Sequence, residues 1–201
     1  MTKLRACMVL LFCAGAISSQ AQTLTTLYSF CSQPNCADGS DPYFALAQGT
    51  DTEPDFYGTT LGTTDFNGSE NGTIFRVSAN GQINTLHEFC SMLDCAGWEP
   101  QGLVQSTDGA FYGVTTFGGS YAECSLGCGT VFRISPDGSF TTLYAFCEQP
   151  SCPDGYAPSG TLMQGADGNF YGTTAGGGTG SGPLCEGTGC GTVFRVTLTG
   201  A

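Results

Sequence analysis

The chain has 201 residues, with 31 Gly, 9 Pro and 12 Cys, and only 5 Lys or Arg against 17 Asp or Glu. A formal charge of −12 argues against nucleic acid or an anionic membrane surface as partner, since both need a basic footprint. Gly and Pro make up about a fifth of the chain, short of a low-complexity composition, and twelve cysteines suit an oxidising compartment.

At the N-terminus, Lys3 and Arg5 precede an apolar run from Ala6 to Ile17, and Ser19-Gln20-Ala21 puts small residues at the −3 and −1 positions of a cleavage site. This pattern predicts a secretory signal peptide over 1–21, with an apolar run too short for a membrane span. Cys13 follows Phe12 rather than a small residue, which argues against a lipoprotein leader. No later stretch is apolar enough to cross a bilayer. Cleavage leaves 22–201 as a single domain without Lys, in which three Arg against 17 acids give a charge of −14.

Three motifs then recur in the same order three times. Leu27-Tyr28-Ser29-Phe30 returns at 86–89 and 143–146, Phe56-Tyr57-Gly58 at 111–113 and 170–172, and Gly72-Thr73-Ile74-Phe75-Arg76 at 129–133 and 191–195. The period is about 58 residues, and such a period implies an array of equivalent units. Each unit reads as two β-hairpins rich in β-branched and aromatic residues. One turns at Pro136-Asp137-Gly138 and the other at Asp167-Gly168, both sequences that tolerate positive φ. The expected fold is all-β, a propeller-like array of three four-stranded repeats. Pairing Thr23–Phe30 with Gly191–Thr197 would close it and hide two sheet edges. Propellers usually have four or more blades, so the alternatives are a three-fold barrel of β-trefoil type, which ranks next, a subunit of a larger ring, or an incomplete propeller.

The string Gly129-Thr130-Val131-Phe132-Arg133, then Thr141-Thr142-Leu143-Tyr144, then Asp167-Gly168-Asn169-Phe170-Tyr171-Gly172-Thr173-Thr174 followed by Gly-Gly resembles the GloVer (Gloeo–Verruco) tandem repeat of bacterial extracellular proteins. The resemblance covers about 23–201 and implies a secreted, repetitive, propeller-like protein. It brings no catalytic residues with it. The sorting anchor common in that family is not read here. The first unit departs from the pattern, because Thr59-Thr60-Leu61-Gly62-Thr63 lacks the Gly-Gly step and its loop lacks Cys.

The ten remaining cysteines fall into five close pairs. Cys31 and Cys36, Cys90 and Cys95, and Cys147 and Cys152 follow the repeated Phe, whereas Cys124 and Cys128, and Cys185 and Cys190, precede the Gly-Thr-Val-Phe-Arg strand. Recurring pairs in a secreted chain read as local disulfides, and with no Cys-x-x-Cys spacing and one His a metal site is not expected. Arg76, Arg133 and Arg195 share one repeat position, which points to a structural role bridging acids or carbonyls between units. His87 stands where the other units have Tyr28 and Tyr144, an aromatic packing position rather than a general base. Asp51, Asp108 and Asp167 recur in turns, as do Asp38 and Asp154 after the Cys pairs, and turn chemistry accounts for them. No EF-hand-type loop is present, so no cofactor is expected beyond weak calcium binding by clustered loop acids.

Candidates for binding are Trp98 and Tyr156, which share a repeat position, with Tyr121 in a long loop and the neighbouring Glu99. Asn67 and Asn71 begin glycosylation acceptor triplets. The expected function is a secreted, non-enzymatic β-repeat protein that binds a polysaccharide or an extracellular protein. The alternatives are a carbohydrate hydrolase using loop acids such as Glu99 and Glu123, or a purely structural module.

Overall fold

The computed structural model describes residues 23–50, 55–62, 72–89, 96–120, 123–180, 182, 185 and 189–200. The expected leader, Asp51, Asn67, Asn71 and Tyr121 lie outside these residues. So do Cys90 and Cys95, and the disulfide expected between Cys90 and Cys95 therefore lies outside the described residues too.

The chain is all-β, with three antiparallel sheets in chain order and none of them closed. The first has the order β1 (Ala47–Gln48), β2 (Phe56–Thr60), β3 (Thr73–Val77), β4 (Ile83–Glu88). In the second, β5 (Trp98–Pro100) and β6 (Val104–Gln105) both pair with β7 (Phe111–Phe117), followed by β8 (Thr130–Ile134) and β9 (Phe140–Ala145). The third holds β10 (Tyr156–Gln164), β11 (Phe170–Gly176) and β12 (Val193–Val196). The Pro136-Asp137-Gly138 turn joins β8 to β9 as its composition requires. Gly138 sits at φ 90°, its N–H donates to the Ser135 carbonyl, and the Asp137 carboxylate accepts from the Ser139 N–H at 3.0 Å.

The same register recurs in each sheet, pairing Tyr57 with Arg76, Tyr112 with Arg133 and Tyr171 with Arg195. A bulge falls at the same step in the first two, between Ile74 and Phe75 and between Val131 and Phe132. Each sheet also carries a hydroxyl pair beside its Gly-Thr strand. The side chains of Thr60 and Thr73, and of Thr115 and Thr130, meet at 2.8 Å, and those of Thr174 and Thr192 at 2.9 Å.

The core lies between consecutive sheets. Tyr57, Ile74, Leu103, Phe111, Phe132 and Ile134 pack together between the first and second, and Tyr112, Val114, Val131, Phe170 and Val196 between the second and third. Tyr57 stacks on Phe111 with ring centroids 4.0 Å apart, and Tyr112 on Phe170 at 4.2 Å. Each such fully buried ring contributes roughly 1.5–3 kcal/mol of transfer free energy.

Three expectations need correction. The four-strand count holds in the first sheet alone. In the second, the outermost segment breaks at Gln101–Leu103 into β5 and β6, and the third has three strands. Closure by terminal strands is not found. Among the described residues β12 pairs with β11 and not with Thr23–Phe30, and Phe30 packs instead on Phe75 of the first sheet at 4.8 Å. The reason is that each sheet stacks face to face on the next, so the first and third stand at opposite ends of the stack. The same separate sheets replace the shared barrel of the trefoil alternative. Among the described residues no helix is long and apolar enough to cross a membrane.

Candidate functional site

The described Cys pairs that follow a repeated Phe are each organised by the Asp two residues beyond the second Cys. Asp38 Oδ2 accepts hydrogen bonds from the Tyr28 hydroxyl at 2.6 Å and from the Ser32 N–H and hydroxyl at 3.0 Å, and Oδ1 accepts from the Gln33 N–H at 3.3 Å. Burial works against its ionisation, but these donors outweigh burial and hold the carboxyl down to about 2. Asp154 repeats the device, taking the Tyr144 hydroxyl at 2.8 Å and the Cys147 N–H at 2.9 Å. Burial and the adjacent Asp154 push the Tyr144 hydroxyl up to about 12. These two acids knot the loop that leaves the outer strand, a role that turn propensity alone does not describe.

Four Cys pairs among the described residues lie at disulfide distance: Cys31–Cys36, Cys124–Cys128, Cys147–Cys152 and Cys185–Cys190. They are four of the five pairs expected from the sequence, and the fifth, Cys90 with Cys95, lies outside the described residues. The last three of the four border one cleft of about 730 Å³ between the loops of the second and third sheets. Hydrogen bonds to backbone carbonyls tie these loops together. The Ser120 hydroxyl donates to the Cys147 carbonyl at 3.2 Å, and the Ala157 N–H donates to the Cys128 carbonyl at 2.9 Å. Cys124, Cys128, Cys147 and Cys152 bring their four sulfurs within 4.8 Å of one another. They do so as two abutting disulfides, and a metal would need them as thiolates.

Tyr156 and Phe117 both line the cleft, with Ser125, Ser151 and Thr179 supplying hydroxyls and Glu123 a carboxylate. Trp98 stands behind this wall. It stacks on Phe117 at 4.4 Å, and its indole N–H donates to the Leu126 carbonyl at 3.3 Å. Glu99 is half-buried in the left-handed region at φ 57°, and its carbonyl accepts from the Gln101 amide at 3.2 Å. It does not line the cleft. Of the four sequence candidates, then, the structure brings Tyr156 to the cleft, puts Trp98 one layer behind it, sets Glu99 apart and leaves Tyr121 undescribed. Sequence reasoning missed the hydroxyls of Ser125, Ser151 and Thr179 and the ring of Phe117. The repeat equivalent of Phe117 in the third unit is Gly176, and that asymmetry was the available signal.

The three Arg differ in their partners. Arg76 Nε meets the buried Asp55 at 2.8 Å, and Arg133 reaches Asp108 at 3.4 Å and donates to the Ser135 hydroxyl at 2.9 Å. Both pairs lie within one sheet and its turn, whereas the sequence suggested bridges between units. Arg195 is exposed beside Tyr171, whose hydroxyl donates to Asp167 at 2.8 Å. His87 stacks on Phe140 at 3.9 Å, and burial lowers its pKa.

Residues 56–201 match the Gloeobacter/Verrucomicrobia repeat family. No curated protein matches the chain. One solved structure, provisionally assigned as a gluconolactonase, is 16% identical, with a TM-score of 0.39 over 60% of this chain and 38% of its own length. So distant a likeness carries no argument about activity.

Proposed function

The chain belongs to the Gloeobacter/Verrucomicrobia repeat family, and on that footing we propose that it is a secreted, non-enzymatic, propeller-like protein that binds polysaccharide through the cleft between its second and third sheets. The composition of that cleft carries the reading. Tyr156 and Phe117 offer apolar ring faces, while Ser125, Ser151, Thr179 and Glu123 offer acceptors and donors for sugar hydroxyls. Three disulfides hold the loops that present them, which lowers the ordering cost of binding. The disulfides also fit an oxidising, extracellular setting. No cofactor is assigned.

A glycan array followed by a reducing-sugar assay tests this. The expected result is retention of a polysaccharide without release of reducing ends, unchanged by chelator and lost in Tyr156→Ala. Turnover would favour the hydrolase reading, with Glu123 as the acid to mutate first. Retention unaffected by Tyr156→Ala would remove the cleft from the account.

A further inference from the structure

Two loops of the second unit meet at the open end of the β8–β9 hairpin. One enters β8 and carries Cys124 and Cys128, and the other leaves β9 and carries Cys147 and Cys152. The antiparallel register sets Thr130 opposite Ala145, and the Phe146 N–H donates to the Gly129 carbonyl at 3.0 Å, so Cys128 and Cys147 leave the ladder as neighbours. The four sulfurs of the two loops lie within 4.8 Å of one another. Among the described residues this is the one group of three or more Cys, His, Asp or Glu side chains that converges in this way. The first unit has no Cys in the loop before β3, so the same group cannot form there.

Backbone hydrogen bonds hold this arrangement independently of the sulfur–sulfur bonds. The Cys128 N–H donates to the Ser120 carbonyl, and the Cys128 carbonyl accepts from the Ala157 N–H, both at 2.9 Å. The Cys124 carbonyl accepts from the Gly127 N–H at 2.9 Å. On the other loop, the Cys147 N–H donates to Asp154 at 2.9 Å, and the Cys147 carbonyl accepts from the Ser120 hydroxyl at 3.2 Å. The Cys152 carbonyl accepts from the Gly155 and Gly178 N–H groups at 3.0 and 2.8 Å. Opening the S–S bonds therefore leaves the four residues anchored. Their Cα atoms, 5.3 Å apart in the first pair and 4.3 Å in the second, let each pair direct both sulfurs at one point. Tetrahedral zinc has Zn–S bonds of about 2.3 Å and hence sulfur–sulfur edges of about 3.8 Å. A group whose sulfurs lie within 4.8 Å already has nearly that span. Three residues separate Cys124 from Cys128 and four separate Cys147 from Cys152, inside the range of roughly two to four found in structural zinc sites.

We propose that the chain, when these cysteines are reduced, binds one zinc ion through Cys124, Cys128, Cys147 and Cys152, and that oxidation to the two disulfides expels it. In the reducing direction two dithiols break both S–S bonds. They give up four electrons and four protons, become two disulfides and leave four thiols on the chain. Zinc then displaces the four protons as the thiols bind as thiolates. In the oxidising direction two external disulfides each take two electrons and leave as pairs of thiolates, the two S–S bonds form again, and zinc departs with its charge unchanged. An all-sulfur donor set selects a soft or borderline ion over calcium or magnesium, which take oxygen ligands. Cys128, Cys147 and Cys152 are buried. Cys124 is partly exposed and lines the cleft together with Cys152, which gives reductant and ion a route in. The two forms exclude each other, so the same pair of loops is fastened by disulfides in one and by the metal in the other.

The test uses the full chain reduced with a phosphine, which carries no thiol to compete for zinc. Iodoacetamide labelling is read peptide by peptide by mass spectrometry, with and without zinc, beside circular dichroism. Zinc is expected to suppress labelling of Cys124, Cys128, Cys147 and Cys152, to leave that of Cys31, Cys36, Cys185 and Cys190 unchanged, and to lose its effect when a chelator is added. Cobalt in place of zinc is expected to give the visible absorption of a tetrahedral sulfur site, at one ion per chain, in the reduced protein and not in the oxidised one. That absorption should vanish in the Cys128→Ser/Cys147→Ser variant and persist in Cys31→Ser/Cys36→Ser. The labelling comparison needs no variant, so it decides the matter even if Cys128→Ser/Cys147→Ser fails to fold. Labelling that ignores zinc, protection spread evenly over all the pairs, or cobalt absorption that survives oxidation or the loss of Cys128 and Cys147 would each overturn the proposal. So would a reduced chain whose strand signal is lost and does not return with zinc.

Discussion

Replacing Asp38 by Asn probes the loop knot with little change of volume. The carboxylate is fully buried and takes four hydrogen bonds, from the Tyr28 hydroxyl, the Ser32 N–H and hydroxyl, and the Gln33 N–H. An Asn that keeps its oxygen toward Tyr28 and Ser32 points its amide at the Gln33 N–H, donor against donor, and the remaining bonds lose their charge assistance. One orphaned buried donor and the lost assistance together cost on the order of 2 kcal/mol. For a chain of this size that is a drop in Tm of about 4–8 °C at pH 7. The sign with pH follows from linkage. The folded carboxyl is held at about 2, below its ordinary 3.8, so its stabilisation is complete above the ordinary value and is lost as pH falls through about 2. The Tm gap between wild type and D38N, followed by circular dichroism, is expected to be full at pH 7, to narrow from about pH 4 downward, and to close near pH 2. Equal melting at pH 7, or a gap that persists unchanged at pH 2, would refute the reasoning.

Two further outcomes concern the core and the ion pairs. Tyr112→Ala removes a fully buried ring stacked on Phe170 and should cost about 3–5 kcal/mol, read as loss of denaturant midpoint at unchanged slope. A loss below about 1 kcal/mol would mean that the sheets do not depend on that stack. Arg76→Lys should destabilise more than Arg133→Lys, because Arg76 meets a buried carboxylate and Arg133 a third-exposed one. Both changes stay within roughly 1 kcal/mol by analogy with other partly exposed pairs, and the reverse order in thermal melts would contradict the assigned geometry.

Much of the fold was legible because the repeat states each element three times. The alternation in Gly129–Ile134 and the Pro136-Asp137-Gly138 turn fix a hairpin from local chemistry alone, and the structure forms β8 and β9 there. Equivalences such as His87 with Tyr144 foretold a packing position, and the ring of His87 does lie flat on Phe140. What lay beyond reach was anything set by the separation of one unit from another. The spacing between Cys124 and Cys128, and between Cys147 and Cys152, says nothing of the distance from one pair to the other, which chain folding reduces until the four sulfurs meet. The partners of Arg76 and Arg133 lie within one sheet rather than between units for a similar reason. The cross-strand neighbour of Arg133 is Tyr112, and that ladder carries the guanidinium to Asp108 in the same sheet rather than toward the next. Closure failed because strand pattern encodes pairing and not the angle at which one sheet sits on the next. Tyr156 could be named from its loop, but only the converging loops turn it into one wall of a cleft with Phe117.

The charge distribution acquires a physical sense from the same geometry. With three Arg set against 17 acids beyond the expected leader, electrostatic repulsion should oppose any self-association of this chain. Four of the described acids are nevertheless matched. Asp55 and Asp108 have Arg partners, and Asp38 and Asp154 accept from backbone and tyrosine donors. Glu88 on β4 is exposed, as are most of the described loop acids, while 23–30 is uncharged and 191–197 carries only Arg195. A net-acidic protein can then remain soluble in bulk and still expose apolar side chains such as Val193 and Leu24. Raising salt should screen the repulsion among these acids without touching the apolar contacts between sheets, so the midpoint of thermal melts should rise with ionic strength, the opposite of a fold held together by complementary charge.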